Sequence, residues 1–430
     1  MERIVINGGS PLYGDVEISG MKNAALPIIF ACILTKDKCT IENLPLISDV
    51  TLAIEILERM GATIDYIDDK TVSIDTTNLV GGVSPCELVG KMRASTYLLG
   101  AELGRFGKAR IGLPGGCNFG DRPIDQHIKG FRALGAEVEV SNEEIIATTE
   151  SGMHSGSVYF DITSVGATIN VMMAAVLAEG LTIIENAACE PHIVDLANFF
   201  NTCGANISGA GTNVIKIRGV ESLHGCIYEI IPDMIEAGTF MTAVAATGGK
   251  VNINNIIPKH MESISAKLRD MGVKVEEFDD SLTVISETSL KPTHIQTRPY
   301  PGFPTDMHPQ FSALLCMAIG EGALTENVFE QRFRYVDELK KMGADIETDG
   351  RVATINGRGY LHGATVKTVD LRAGAAMIVA GLAAKGTTVV TEIGYIKRGY
   401  QDIVNKFRKL GADIEEIWDF TPNIDNEHLN

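Results

Sequence analysis

The stretch Leu339-Lys340-Lys341-Met342-Gly343-Ala344-Asp345-Ile346 is one of six copies of the same phrase. Phe407-Arg408-Lys409-Leu410-Gly411-Ala412-Asp413-Ile414 repeats it nearly residue for residue, and four further copies stand at 57–64, 131–138, 200–207 and 268–275. Their glycines, Gly61, Gly135, Gly204, Gly272, Gly343 and Gly411, are 68 to 74 residues apart. Six copies of a unit of that size define the architecture before any other feature is read. Each glycine falls where an amphipathic helix runs out, and glycine alone adopts the left-handed turn there without steric cost. An alternating segment follows, as in Ala344-Asp345-Ile346-Glu347, which reads as a strand.

Upstream of each phrase the apolar residues recur at helical spacing with charges between them, as in LAIEILERM and VDELKKM. Such a helix lies on a surface. Every unit also holds a second helix that is apolar or small almost all round: AALPIIFACIL, ASTYLLGAEL, GATINVMMAAVLAEG, EAGTFMTAVAATG, QFSALLCMAIGEG and GAAMIVAGLAAKG. A helix without a polar face belongs inside a protein. The expected fold class is α/β, with two inside-out α/β barrel domains. In each, three buried helices are surrounded by strands and outer helices.

The 430 residues suffice for two large cores, and the net charge of −18 argues against nucleic-acid or anionic-membrane partners. The eight cysteines show no CxxC and no Cys/His spacing suited to zinc, which points to a reducing cytosol. MERIVINGG opens the chain as a strand rather than a signal peptide. The apolar stretches near 165–184 and 373–384 are interrupted by polar residues and do not read as membrane spans. The expectation is a cytoplasmic protein with no obligate protein partner. No phosphate-binding loop, convincing dinucleotide fingerprint, HExxH or EF-hand loop occurs, so neither an organic cofactor nor a tightly bound metal is indicated.

Against this apolar background, the residues that open the buried helices are polar: Lys22 with Asn23, Arg93, Ser164, Asp233, Asp306 and Arg372, spaced 66 to 73 apart. Three helices side by side gather their N-termini at one end, where free amides and dipoles favour an anion. Cations at such ends disfavour the helix, so either an anionic ligand or acidic neighbours such as Asp370 account for Lys22, Arg93 and Arg372. The loops before the outer helices carry Arg122, Arg332 and Arg398, which lie 13, 11 and 13 residues before their glycines. Cys117 sits in Pro114-Gly115-Gly116-Cys117-Asn118-Phe119-Gly120, five residues from Arg122. It reads either as an accessible, activated thiol or as a small buried hydrophobe; Cys189, also before an outer helix, is a lesser rival. Asp306, in PGFPTDM, is either an N-cap or a general base at an anion-lined cleft.

SGMKNAALP (19–27), MRAS (92–95), LPGGCNFGDRPIDQH (113–127), SVGAT (164–168), FPTDM (303–307), FEQRF (329–333), DLRA (370–373) and RGY (398–400), on a six-unit plan, together resemble the UDP-N-acetylglucosamine enolpyruvyl transferase (1-carboxyvinyltransferase) family. That family lies within the EPSP synthase-like superfamily, and the similarity covers about residues 1–418. The resemblance implies two domains, 22–230 and 1–21 plus 231–430, with the active site between them. It also implies transfer of the enolpyruvyl group of phosphoenolpyruvate to the 3′-hydroxyl of UDP-N-acetylglucosamine, with release of phosphate, at the first committed step of peptidoglycan synthesis.

By the same resemblance Cys117 is a general acid able to form a covalent pyruvyl adduct, and Asp306 is the base. Lys22, Arg122 and Arg398 hold the phosphate of phosphoenolpyruvate beside Asn23, and Arg332 and Arg372 hold its carboxylate. Asn23, Arg93, Arg122, Asp125, His127, Ser164, Val165, Gly166, Asp306 and Glu330 face UDP-N-acetylglucosamine. One departure is that Asp161-Ile162-Thr163 stands where some members carry a Lys that contributes to diphosphate binding. Rival readings are transfer to shikimate 3-phosphate, which the cysteine loop opposes, transfer to another uridine nucleotide, and a silent paralogue that only binds the nucleotide.

Overall fold

In the computed structural model of the chain, residues 2–81, 84–112, 124–287 and 289–418 are described. The six apolar helices are α1 (Lys22–Ala31), α2 (Tyr97–Phe106), α3 (Val165–Ala175), α4 (Met234–Thr247), α5 (His308–Cys316) and α6 (Leu371–Ala383). Every residue of α1 from Ala24 on is buried, and in α5 even His308 and Gln310 are sealed from solvent. α2 packs on α3 and α1, while α4, α5 and α6 pack on one another, so the chain builds two three-helix cores. The close α2–α3 approach depends on Gly100: a Cβ there would lie 2.3 Å from the Asn170 carbonyl oxygen. The Asn170 side chain meanwhile accepts from the Gly100 amide at 2.9 Å.

The outer helices Ser48–Arg59, Asp125–Ala133, Pro191–Thr202, Glu262–Asp270, Val336–Lys341 and Ile403–Lys409 each end one or two residues before a repeat glycine. All six of those glycines have φ between 89° and 101°, the left-handed conformation the repeated phrase required. No helix among the described residues is long and apolar enough to cross a membrane.

The strands form six small sheets around the helices, one per repeat, and do not close into a continuous barrel. A short parallel strand joins most neighbouring repeats. Ile227–Glu229, at the end of the first three repeats, pairs with Lys38–Glu42 at their beginning and so closes that ring. The opening strands β1 (Glu2–Asn7) and β2 (Leu12–Glu17) go elsewhere. β1 lies between Thr387–Thr391 and Asp413–Trp418, and β2 runs parallel to Gly249–Asn254, which closes the second ring. The chain crosses between the rings twice, side by side: the Met21 amide donates to the Ile231 carbonyl at 2.7 Å, and the Asp233 amide to the Ser19 carbonyl at 2.9 Å.

Candidate active site

The helix starts differ in how they are capped, and the differences mark the site. Ser164, Asp233 and Asp370 cap α3, α4 and α6 through their side chains. α1 has no side-chain cap and begins directly at Lys22. Asp306 lies in a short 3-10 turn ahead of α5 and makes no cap bond, so the capping reading of this residue does not hold. Its carboxylate instead accepts from Arg372 Nη2 at 3.0 Å and Nε at 3.1 Å, and from Arg332 Nη2 at 3.3 Å. Asp370, expected as a partner of Arg372, is spent on the amides of Arg372 and Ala373.

A second carboxylate organises the other two cations. Asp49, from the first turn of the outer helix Ser48–Arg59, accepts from Lys22 Nζ at 2.6 Å and from Arg398 Nε at 2.9 Å. It thereby joins the start of α1 to the sixth repeat. Lys22 can lie there because Gly399 has no side chain; a Cβ at 399 would approach Lys22 Cδ to 3.3 Å. Four cations and two carboxylates sum to plus two, at the gathered helix ends, in a chain of net charge −18.

The electrostatics follow from this crowding. Burial lowers the Lys22 pKa, Asp49 opposes that, and the charges of Arg372 and Arg398 add to the lowering. Burial would raise the Asp306 carboxyl, but Arg372 and Arg332, with Lys22 behind, outweigh it and hold the group well below the usual carboxylate range. Behind them burial raises Asp233, which also feels the Arg372 charge.

A second group of expected residues gathers on α3. His127, on the outer helix Asp125–Ala133, lies over Gly166, where a Cβ would sit 2.8 Å from Nε2. Burial, then the neighbouring Arg93 charge, lowers its pKa to about 4, so the imidazole is neutral at pH 7. Its Nδ1 has no hydrogen-bond partner among the described residues. Val165 opens α3 behind the Ser164 cap. Asp125 accepts from Gln126 Nε2 at 2.7 Å, and Gln126 in turn accepts from the Asp161 amide at 3.0 Å. Lys129 Nζ meets Asp161 at 2.8 Å, so a cation from the outer helix stands near the position where the expected Lys is missing.

Asn23 is half-buried beside Lys22. Glu330 is exposed and meets Arg351 at 3.4 Å, away from the Asp306 pair. Cys117 and Arg122 lie outside the described residues.

Sequence reasoning missed Asp49, Glu190, His192 and His260. Glu190 accepts from the Tyr300 amide at 3.4 Å, and buried His192, its pKa lowered by burial to about 4, feels both Asp306 and His260. The signal was present. Asp49, His192 and His260 each lie 12 residues before their repeat glycine, the register already noted for Arg122, Arg332 and Arg398. All six repeats therefore place a polar residue at one equivalent loop position; only the arginines had been read.

Residues 6–420 match the EPSP synthase (3-phosphoshikimate 1-carboxyvinyltransferase) family. The chain is 55% identical to a UDP-N-acetylglucosamine 1-carboxyvinyltransferase of Clostridium botulinum, across 97% of this chain and 100% of the relative. It is 54% identical to UDP-N-acetylglucosamine 1-carboxyvinyltransferase 3 of Caldanaerobacter subterraneus, with the same coverage. Among solved structures, the enolpyruvyl transferase NikO from Streptomyces tendae superposes with a TM-score of 0.87 at 27% identity, covering 97% of this chain and 99% of NikO. An EPSP synthase from Acinetobacter baumannii shares the fold, with a TM-score of 0.75 at 18% identity over 97% of this chain and 100% of that one.

Proposed function

From the premise that the chain belongs to the EPSP synthase family, in its UDP-N-acetylglucosamine 1-carboxyvinyltransferase branch, we propose how its residues carry the reaction. The protein is an enolpyruvyl transferase. It moves the enolpyruvyl group of phosphoenolpyruvate to the 3′-hydroxyl of UDP-N-acetylglucosamine and releases phosphate, in peptidoglycan synthesis. The working unit is two domains, 22–230 and 1–21 plus 231–430. The pairing of β1 and β2 with strands of the second half supports that division. We place the reaction in the cytoplasm, the compartment suggested by dispersed thiols.

The observation that carries the reading is Asp306 seated between Arg332 and Arg372, with Lys22 and Arg398 held beside them by Asp49. Phosphoenolpyruvate brings a phosphate and a carboxylate, and this cluster supplies cations for both. Lys22 and Arg398, with Arg122 and Asn23, take the phosphate; Arg332 and Arg372 take the carboxylate. Arg93, Asp125, His127, Glu330 and the Ser164-Val165-Gly166 start of α3 hold the nucleotide sugar, with Arg122 and Asp306 reaching it as well.

Cys117 donates a proton to C3, leaving C2 electron-poor, and the thiolate can instead add to C2 as a covalent adduct. The 3′-oxygen forms its bond to C2 as Asp306 accepts the hydroxyl proton. The tetrahedral intermediate then loses a proton from C3, the C2–O bond to phosphate breaks, and the enol ether is regenerated as phosphate departs. Fixed cations stabilise the charge on the departing phosphate.

This assignment also resolves the low pKa of Asp306. Once the substrate's anionic groups engage Arg332 and Arg372, less positive charge acts on the carboxylate and its basicity rises. Phosphate release from phosphoenolpyruvate, with UDP-N-acetylglucosamine or shikimate 3-phosphate as acceptor, tests the reading in wild type and Cys117→Ala. Release with the nucleotide alone, depressed in the variant, is expected. Release with shikimate 3-phosphate, or full activity of the variant, refutes it.

A further inference from the structure

Three thiols converge at the far end of α1, about 15 Å along the helix from Lys22 at 1.5 Å per residue. Cys39 is buried in the strand Lys38–Glu42, Cys203 is buried where the outer helix Pro191–Thr202 ends, and half-buried Cys226 precedes the strand Ile227–Glu229. Their sulfurs all lie within 4.8 Å of one another, and Cys203 Sγ is 3.3 Å from Cys226 Sγ. The remaining thiols behave differently. Cys32 and Cys316 donate to carbonyls one helical turn back, and Cys189 to the Ala187 carbonyl.

The backbone holds this convergence in place. The Thr40 amide donates to the Cys226 carbonyl at 2.8 Å, and the His224 amide to the Cys203 carbonyl at 3.0 Å. Between them Gly225 lets two backbones touch; a Cβ there would lie 2.0 Å from the Lys38 carbonyl oxygen. The ligands stand at 39, 203 and 226, which is why no motif spacing announced them. A tetrahedral zinc with Zn–S bonds of about 2.3 Å spaces its sulfurs about 3.8 Å apart. Shifts of 1 Å or less in the sulfur–sulfur spacing meet that geometry.

We propose that Cys39, Cys203 and Cys226 form a trithiolate zinc(II) site. The half-buried Cys226 edge admits the ion and a solvent molecule as fourth ligand. Binding releases up to three thiol protons to solvent and changes no oxidation state. The site pins Lys38–Glu42 to Ile227–Glu229, the pairing that closes the first ring, and lies at the opposite end of α1 from the catalytic cluster. Its role is therefore to staple that ring.

The test uses the reduced full-length protein with zinc sulfate, dialysed against a weak chelator. One zinc per chain is expected by elemental analysis. Mass spectrometry after alkylation should find Cys39, Cys203 and Cys226 protected in wild type. Cobalt(II) in place of zinc should add a thiolate charge-transfer band. Cys39→Ser, Cys203→Ser and Cys226→Ser should each weaken zinc binding at least about a hundredfold, and Cys189→Ser should leave it intact. Wild-type alkylation needs no variant to fold. Failure to retain zinc, protection at Cys117 instead, or loss of two hydrogens as a Cys203–Cys226 disulfide with no zinc uptake after reduction would overturn the proposal.

Discussion

Replacing Asp49 by Asn tests whether the cationic cluster is held together by that one carboxylate. Asp49 is 5% exposed, and its partners Lys22 and Arg398 are 12% and 18% exposed. Breaking a buried pair from one side costs about 3–5 kcal/mol. The partial exposure of both cations and the acceptor oxygen that Asn retains reduce this to about 2–3 kcal/mol. At about 2–4 °C per kcal/mol for a domain of this size, thermal unfolding should fall by about 4–12 °C in a low-salt buffer free of multivalent anions. Added inorganic phosphate should restore more of that loss in the variant than it adds to wild type, because it binds where the carboxylate was.

The pH dependence has a definite sign. Burial would raise the Asp49 carboxyl, but Lys22 and Arg398 lower it below its ordinary value. Its contribution is thus complete above the unfolded pKa of about 3.9 and is lost as pH falls through the depressed folded value. The gap between wild type and variant should close over that acid range. A loss under about 1 °C at pH 7.5, or equal gains from phosphate in both proteins, would refute the reasoning.

The low pKa of Asp306 in the free enzyme places the acid limb of kcat/KM at lower pH than that of kcat, since bound anions relax the depression; pH–rate profiles that coincide would count against it. Asp306→Asn should cut turnover by about 10²–10⁴, measured as phosphate release at saturating substrates. Gly166→Ala should raise KM for the nucleotide sugar about tenfold, the factor that 1.4 kcal/mol supplies, because the new methyl displaces His127; KM for phosphoenolpyruvate should not change. Gly100→Ala drives α2 off α3 and should cost about 3 kcal/mol in urea unfolding.

Much of this was legible in the chain because the repeat supplies six independent readings of one unit. The repeat glycines and the all-apolar helices specify a buried layer and an outer layer with no other information. The destinations of β1 and β2 do not follow from their own residues, since each pairs with a partner more than 200 positions away. The site shows the same division. Lys22, Arg332, Arg372 and Arg398 stand out as cations where a helix start disfavours them. Asp49 does not, because an acid in the first turn of a helix is what capping and the dipole already favour. Its role is set by Lys22 and by Arg398, 349 residues on, and only the folded chain brings the three together.

The position of β1 carries a consequence for how the protein is made. This strand leaves the ribosome first, yet its neighbours Thr387–Thr391 and Asp413–Trp418 are among the last segments translated. At about 5–20 residues per second, β1 waits about 20–80 s for its sheet. The first ring has all its strands once Ile227–Glu229 emerges and can fold during that interval. Throughout it, the apolar side chains of β1 remain exposed to whatever else in the cell binds an unpaired strand.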